Sequence, residues 1–263
     1  MKISACLIVK NEEKNLERCL NSIYKYVDEI IITDTGSTDK TLEIAKKYTD
    51  KIYFYQWINN FSAARNFCQS HANGDYIFWI DADEYFSRDT CKNLISFINN
   101  NSTIDTFDIH RINIWENLIT PSEYTQRVIR NNWKFKWVFH IHEILECRHK
   151  YTDKKIDWIS MYHHFDRKDK LWHYFDYYKK ILKTDIFNSK IRLRLIKNYL
   201  FQWDFDNIIY VLEQTKYIHY YNIQDFKLIL SKIKNIKQAE KTYFMLNNLL
   251  IKSAIIDKKL KKY

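Results

Sequence analysis

The sequence predicts an α/β fold with a mainly parallel sheet, followed by an all-α region. Two observations carry this. Over the first 85 residues, short apolar runs alternate with stretches of helical spacing, the pattern of repeated βαβ units that gives a parallel sheet with helices on both faces. From about Lys168 onward the apolar residues recur at helical spacing. The expected boundary divides the chain into residues 1–167 and 168–263. With 263 residues, 46% of them hydrophobic and 17% aromatic, the chain can bury a sizeable core. Its 2 glycines and 1 proline exclude collagen-like, linker-like and Pro/Gly-rich disordered classes. A chain this poor in glycine keeps it where the backbone demands it.

Taken in order, Ile3–Val9 (ISACLIV) is a continuous apolar run, as a strand buried on both faces requires. Leu16, Cys19, Leu20 and Ile23 follow at helical spacing. Residues 29–33 (EIIIT) read as a second buried strand, with Leu42, Ile44, Ala45 and Tyr48 on the helix after it. Residues 51–55 read as a third strand, 61–71 as a third helix, and 76–80 (YIFWI) as a fourth strand. Shorter strand-like stretches follow at 106–114, 126–130 and 156–163. Then Leu171, Phe175, Tyr178, Ile181 and Leu182 begin the helical pattern. No repeat of helical-array length is evident.

The net charge of +10 is unevenly placed. Residues 1–169 carry 23 Lys+Arg against 24 Asp+Glu, and residues 170–263 carry 19 against 8. A basic C-terminal third suits an anionic partner, such as a phospholipid surface, a phosphorylated glycan or a nucleic acid; a lysine-rich solvated helical face would give the same composition. The five cysteines (Cys6, Cys19, Cys68, Cys91, Cys147) are widely spaced and form no C-x-x-C, which argues against a zinc knuckle or disulfide framework and for a reducing compartment. The first apolar run is too short for a signal peptide, and no stretch approaches a membrane span. The expectation is a cytoplasmic protein, with a peripheral position at the inner face of the membrane left open.

In parallel sheets, ligands bind at the carboxyl ends of the strands. The second strand ends in Asp34-Thr35-Gly36-Ser37-Thr38-Asp39, where Gly36 can take a positive φ and Ser37 or Thr38 can cap the next helix. Asp34 is placed to accept hydrogen bonds from a nucleobase or ribose, although an ordinary strand-to-helix turn reads the same way. The fourth strand ends in Asp81-Ala82-Asp83-Glu84. In extended chain Asp81 and Asp83 would share a face and could hold one cation with its ligand, the oxygen donors suiting Mg²⁺ or Mn²⁺. With 20 Asp in the chain, about 1.5 D-x-D matches arise by chance. A second pair, Asp204 and Asp206, does not follow a buried strand and is read as unrelated to ligand binding. Gly74 sits in the turn into the fourth strand. Upstream, Arg65 at a helix start could reach a phosphate, or be a surface arginine.

The runs ISACLIVKNEEKNLERCLNSI, DEIIITDTGSTDKTLEIA, NNFSAARNF and GDYIFWIDADE together resemble the N-terminal half of family 2 glycosyltransferases of GT-A fold. The similarity is greatest to the subgroup of bacterial lipooligosaccharide-core β-glucosyltransferases and related peptide S-glycosyltransferases. It covers residues 1–85 closely and continues more loosely through QRVIRNNWKFKWVFHIHEIL (126–145).

The resemblance implies a GT-A domain that is Rossmann-like and binds a nucleotide sugar. Val9, Asn11, Glu12, Asp34 and Gly36 would hold base and ribose, and Arg65 and Asn66 would position the donor. Asp81, Ala82 and Asp83 would flank a diphosphate bound to Mn²⁺ or Mg²⁺. It implies inverting transfer, in which a general base deprotonates an acceptor that attacks the anomeric carbon. Glu143, in the pair His142-Glu143, is the expected base, with a structural ion-pair role as the alternative. A further metal-site histidine is implied near the domain end. Relatives usually continue there with Gly-Tyr where this chain has Phe165-Asp166, so His163, His164 or neither fills that role.

The implied activity is hexose transfer, with UDP as the expected carrier, to a cell-envelope glycan or glycolipid such as lipooligosaccharide core. Transfer to a peptide or protein is the alternative. A nucleotidyltransferase would need a Gly-rich loop after the first strand, where this chain has Lys10-Asn11-Glu12-Glu13. A basic nucleic-acid-binding protein is a third class. No nucleic acid is expected as partner, because the charge is absent from the half that carries the ordered motifs.

Overall fold

The computed structural model describes residues 1–87, 89–115, 118–164, 204–215, 223–233 and 239–260, together with 192, 193, 195, 196 and 199. They form two compact units by internal contact: residues 1–138 with 143–167, and residues 139–142 with 168–263.

The first unit is built on an eight-stranded sheet. Strands β1 (Ile3–Val9), β2 (Glu29–Asp34), β3 (Ile52–Phe54) and β4 (Tyr76–Trp79) pair in parallel in the order β3-β2-β1-β4. The helices between them are α1 (Leu16–Ile23), α2 (Thr41–Ala45) and α3 (Phe61–Gln69). The sheet continues as β7-β6-β10-β5, comprising β5 (Glu84–Phe86), β6 (Thr106–Trp115), β7 (Leu118–Arg130) and β10 (Asp153–His164). In this half β7 runs antiparallel to both β4 and β6, β10 is parallel to β6, and β5 is antiparallel to β10. Helix α4 (Thr90–Asn100) follows β5, and the hairpin β8 (Phe135–Val138) and β9 (Ile144–Cys147) forms a separate two-stranded sheet. The parallel βαβ half is thus as the sequence indicates. The other half carries longer strands than expected, and β5, α4 and the hairpin were not expected.

Apolar periodicity explains the layers. Ile3, Ala5, Leu7 and Val9 face one side of β1 and pack with Leu16, Cys19, Leu20 and Ile23 of α1 and Cys91, Leu94 and Ile98 of α4. Cys6, Ile31, Ile77 and Trp79 face the other side and pack with Cys68 of α3 and Phe135 and Trp137 of β8. Each such aliphatic side chain removed from water contributes roughly 1.5–3 kcal/mol. Asn60 caps α3 by accepting from Ala63 N at 2.9 Å. Asn66 of α3 acts as a splint for the hairpin: its Nδ2 donates to Trp137 O (2.9 Å) and its Oδ1 accepts from Trp137 N (3.0 Å).

At the amino ends of the strands, Glu29 joins three segments. It accepts from Ser4 Oγ of β1 (2.5 Å) and from Asn73 N (2.7 Å), and it pairs with Lys51. Ser4 Oγ in turn accepts from Gly74 N at 2.7 Å. Gly74 is required by close approach: a Cβ there would lie 2.6 Å from Ser4 Oγ, 2.8 Å from Ser4 N and 2.9 Å from Lys2 O.

In the second unit, α5 (Phe205–Glu213), α6 (Ile223–Ile233) and α7 (Glu240–Leu260) bury Ile208, Val211, Leu212, Phe226, Ile229, Leu246 and Leu250. The helix expected around Leu171–Leu182 lies outside the described residues. Among the described residues, no helix is long and apolar enough to cross a membrane.

Two outcomes are expected. Gly74→Ala forces a methyl against backbone atoms that cannot yield, and should cost about 1–3 kcal/mol in urea unfolding. Burial raises the Glu29 pKa, but Lys51, Ser4 and Asn73 outweigh it and hold it at about 2, below its usual 4.5. A lowered folded-state pKa stabilises fully above the unfolded value, and that contribution disappears as pH falls through the folded one. Glu29→Gln should therefore be less stable than the parent near neutral pH, and the gap should close as pH drops from 4.5 towards 2.

Candidate functional site

The carboxyl ends of β2, β1 and β4 lie side by side. Val9 pairs with Asp34 across β1 and β2, and Cys6 pairs with Trp79 across β1 and β4, from which the chain runs on into Asp81-Ala82-Asp83. The loops leaving β1 and β2 are laced together. Asn11, at φ 55°, donates from its N–H to Ser37 Oγ (3.0 Å), and its Oδ1 accepts from Thr38 N (2.7 Å). Glu12 N donates to Thr41 Oγ1 at 2.7 Å. Val9, Asn11, Glu12, Asp34 and Gly36 therefore occupy one corner.

Gly36 adopts φ +105°, as its turn requires. This folds the chain back over Asp34, whose carboxylate accepts from Gly36 N (3.0 Å) and Ser37 N (3.2 Å) and is almost completely buried. The Asp34 carboxylate thus closes its own turn. Neither Ser37 nor Thr38 caps α2; Asp39 Oδ1 accepts from Thr41 N at 2.9 Å. A cavity of about 430 Å³ beside this corner is lined by Asp34, Leu42, Lys46, Asp50, Ile52 and Phe54.

Asp81 and Asp83 do not present one face, as extended geometry would require. Residues 81–84 form a turn closed by Glu84 N donating to Asp81 O (2.9 Å), and Glu84 Oε2 accepts from Asp81 N (2.9 Å). Turn geometry sends the two carboxylates to different partners. Asp81 Oδ1 accepts from Arg65 Nη2 at 3.0 Å and its Oδ2 from Arg127 Nη2 at 2.7 Å. Asp83 Oδ2 lies 3.3 Å from His163 Nε2.

Strand β5 explains that last contact. It pairs His163 with Glu84 across β5 and β10, and His164 N donates to Asp83 O at 3.0 Å. His163 Nδ1 is 2.8 Å from Asn113 Oδ1. His164 points to the other face of β10, where its Nε2 meets Tyr85 Oη at 3.1 Å. Of the two histidines, His163 is the one beside Asp83.

The charges continue as a chain in which acids and arginines alternate. Glu143, in the β8–β9 connection, accepts from Arg65 Nε at 2.7 Å. Arg65 reaches Asp81, Asp81 reaches Arg127, Arg127 Nη2 also binds Glu84, Glu84 meets Arg111 Nη1 at 3.3 Å, and Arg111 pairs with Glu123. Arg65 lies in the middle of α3, not at its start. It is nearly buried, with its guanidinium carbon 5.1 Å from the Trp79 ring centre and 4.9 Å from that of Trp137. It is not a surface arginine. Its Nε and Nη2 are engaged by carboxylates, its Nη1 is buried with no hydrogen-bond partner among the described residues, and the Asn66 amide is engaged by β8.

Burial opposes ionisation of Asp81, but Arg127 and Arg65 outweigh it and hold the carboxyl well below its usual range. Burial also opposes the charge on Arg127, yet Asp81 and Glu84 raise its pKa further. Glu84, fully buried, is pushed up by desolvation and by Asp81, against the pull of Arg127.

Glu84, Arg111 and the Trp pair were not expected as site residues, and the signals for them were adjacency to Asp83 for Glu84 and the loose similarity over 126–145 for Trp137. Arg127 and Arg130, in a strand-like segment, read from sequence as able to meet phosphate or an acidic acceptor, or as plain surface residues. Arg127 is nearly buried between Asp81 and Glu84, and Arg130 pairs with Asp105 at 3.0 Å. The second D-x-D has a structural explanation. Asp204 Oδ1 caps α5 by accepting from Asn207 N at 3.1 Å, and Asp206 sits in the first turn of that helix.

Among the described residues no three His, Cys, Asp or Glu side chains cluster as a metal site. Asp83 and His163 nevertheless make a fitting two-donor set. Asn113 Oδ1 can only accept, so His163 Nδ1 carries a proton and donates it. Nε2 then faces a carboxylate oxygen, an approach that needs a proton or a cation between them. Holding a ligand histidine through its other nitrogen is the usual outer arrangement at metal sites, and Mg²⁺-type sites commonly take few protein donors and complete themselves with phosphate oxygens and water.

Known proteins are similar to this chain in sequence or in fold. The chain is 46% identical over 83 residues to a TPR repeat-containing protein of Synechococcus elongatus, covering 32% of this chain and 21% of that one. It is 34% identical over 152 residues to the SPbeta prophage-derived glycosyltransferase SunS of Bacillus subtilis, covering 54% and 34%. To an uncharacterized glycosyltransferase of Rickettsia bellii it is 39% identical over 88 residues, covering 34% and 30%. The chain thus spans about a third or less of the length of these relatives. The crystal structure of S. aureus TarS 1–349 in complex with UDP-GlcNAc shares the fold, with a TM-score of 0.52 at 13% identity over 98% of this chain and 92% of that one. The model of the Glycosyl transferase family 2 matches residues 4–165, the unit that carries the strand-end carboxylates, and the chain belongs to that family.

Proposed function

We propose that the protein is an inverting, metal-dependent glycosyltransferase that moves a hexose from a nucleotide sugar, with UDP as carrier, to a cell-envelope glycan or glycolipid. The observation that carries this reading is the facing pair Asp83 Oδ2 and His163 Nε2, 3.3 Å apart at the end of an interior strand. The donor lies along the corner formed by Val9, Asn11, Glu12, Gly36 and Ala82, with its diphosphate towards Asp83. Mn²⁺ or Mg²⁺ held by Asp83 and His163 would neutralise charge developing on the departing diphosphate.

Glu143 acts as general base. Its carboxylate takes the proton of the acceptor hydroxyl as the oxygen forms its bond to the anomeric carbon, while the bond from that carbon to the diphosphate oxygen breaks. Glu143 is held by a single guanidinium, whereas Asp81 is held by two. His142, at φ 52°, fixes the backbone immediately before it in a left-handed conformation. The basic composition of residues 170–263 suits an anionic acceptor or membrane surface, and five unpaired thiols suit a cytoplasmic setting.

Screening UDP-, GDP- and dTDP-sugars for binding and hydrolysis, with and without Mn²⁺, tests the reading. UDP-sugar protection that requires the metal is the expected result; a steep salt-dependent affinity for DNA or RNA would contradict it. Asp83→Asn and His163→Ala should abolish the Mn²⁺-dependent gain in UDP affinity measured by calorimetry. His164→Ala and Asp206→Ala should leave it intact, and equal losses in all four would overturn the assignment. Glu143→Gln should spare donor binding and abolish transfer; retained turnover removes it as the base.

A further inference from the structure

We propose that Arg127 is a positioning residue for the cation site: by bridging the carboxylates at both ends of the 81–84 turn, it presets Asp83 against His163. The inference rests on the proposed role of Asp83 and adds to it a residue that touches neither donor nor cation.

The geometry is specific. Asp83 lies between Asp81 and Glu84, and both flanking carboxylates meet the same nitrogen, Arg127 Nη2. Each is also held from outside, Asp81 by Arg65 and Glu84 by Arg111. Glu84 Oε2 further accepts from the Asp81 backbone N–H, so the turn is cross-braced by one carboxylate and one guanidinium. Arg127 is nearly buried on β7, which pairs with β4 through Val128 and Phe78. The brace therefore stands on the sheet itself and not on a loop. Asp81 serves on this account as an anchor, its charge balanced by arginines, while Asp83 serves the cation. The D-x-D pair divides the work instead of sharing it.

The use of a single nitrogen makes the proposal discriminating. Arg127 Nε is buried and makes no hydrogen bond within the described structure, so the bridge needs one cationic nitrogen, not a guanidinium fork. A lysine ammonium can supply that nitrogen, whereas a glutamine amide leaves both carboxylates without their shared counter-charge.

The experiment titrates UDP into the full chain by calorimetry, with and without Mn²⁺, for the parent, Arg127→Lys, Arg127→Gln and Asp83→Asn. Arg127→Gln should lose about ten- to a hundredfold of the Mn²⁺-dependent affinity, the range for residues that orient metal ligands, and Arg127→Lys should recover most of it. Affinity for UDP without metal should not change. Should Arg127→Gln fail to fold, the double variant Arg127→Gln with Glu84→Gln removes the buried charge that Arg111 alone would then have to balance, and the same loss is expected of it.

Parent-like Mn²⁺-dependent binding by a folded Arg127→Gln or by the double variant would overturn the proposal. So would an equal loss of UDP affinity without metal, which would make Arg127 a nucleotide contact. A lysine variant no better than glutamine would also overturn it. Asp83→Asn separates the two levels: if it binds UDP with Mn²⁺ as the parent does, the cation reading falls and this inference with it. If it loses that binding while Arg127→Gln keeps it, only this inference falls.

Discussion

The Asp81 carboxylate, held between two nearly buried arginines, is the constraint on which the site depends. A buried carboxylate is costly unless it is paired, and so is a buried guanidinium. Here the two arginines are the nearly buried charges, and Asp81, whose side chain is 33% exposed, neutralises both. Arg65 comes from a helix, Arg127 from a strand antiparallel to β4, and Asp81 from the turn that follows β4. Their mutual neutralisation fixes three elements of different sequence origin at one point. The chain extends to Glu143 on one side and to Glu84, Arg111 and Glu123 on the other.

An alternating chain of this kind has a consequence for chemistry. Interior acids are each flanked by two cations, whereas a terminal acid has one. The residue proposed to accept a proton, Glu143, is terminal; the residue proposed as an anchor, Asp81, is interior. The Trp79 and Trp137 rings lie against the Arg65 guanidinium, adding cation–π contact to its ion pairs. The corner at the ends of β1 and β2 is tied together separately: the loops after these strands satisfy one another's backbone groups through Asn11, Ser37, Thr38 and Thr41.

Expectation and structure part company at definite places. The apolar positions of α1 are Leu16, Cys19, Leu20 and Ile23 in both, because a helix against a sheet must repeat at its own period. Strand β5 leaves no sequence signal, because EYF is too short to show a period. It nevertheless carries Glu84 and brings Asp83 to His163. Extended geometry for Asp81-Ala82-Asp83 was a reasonable local assumption, and it failed because Glu84 closes a turn there. Asp34 and Asn66 were legible as special residues but not in their partners, since those are backbone groups that any residue could supply.

What the sequence by itself determined was the parallel half of the sheet, the two glycine positions and the location of the important carboxylates at strand ends. These follow from local rules: apolar period, backbone sterics, and strand direction in βαβ units. The tertiary structure alone decided which carboxylate faces a histidine and which faces arginines. That choice depends on contacts between residues as far apart as Arg65 and Glu143, or Asp83 and His163. A charge pattern along one chain contains no distance information, and only the packed sheet brings those positions within hydrogen-bonding range.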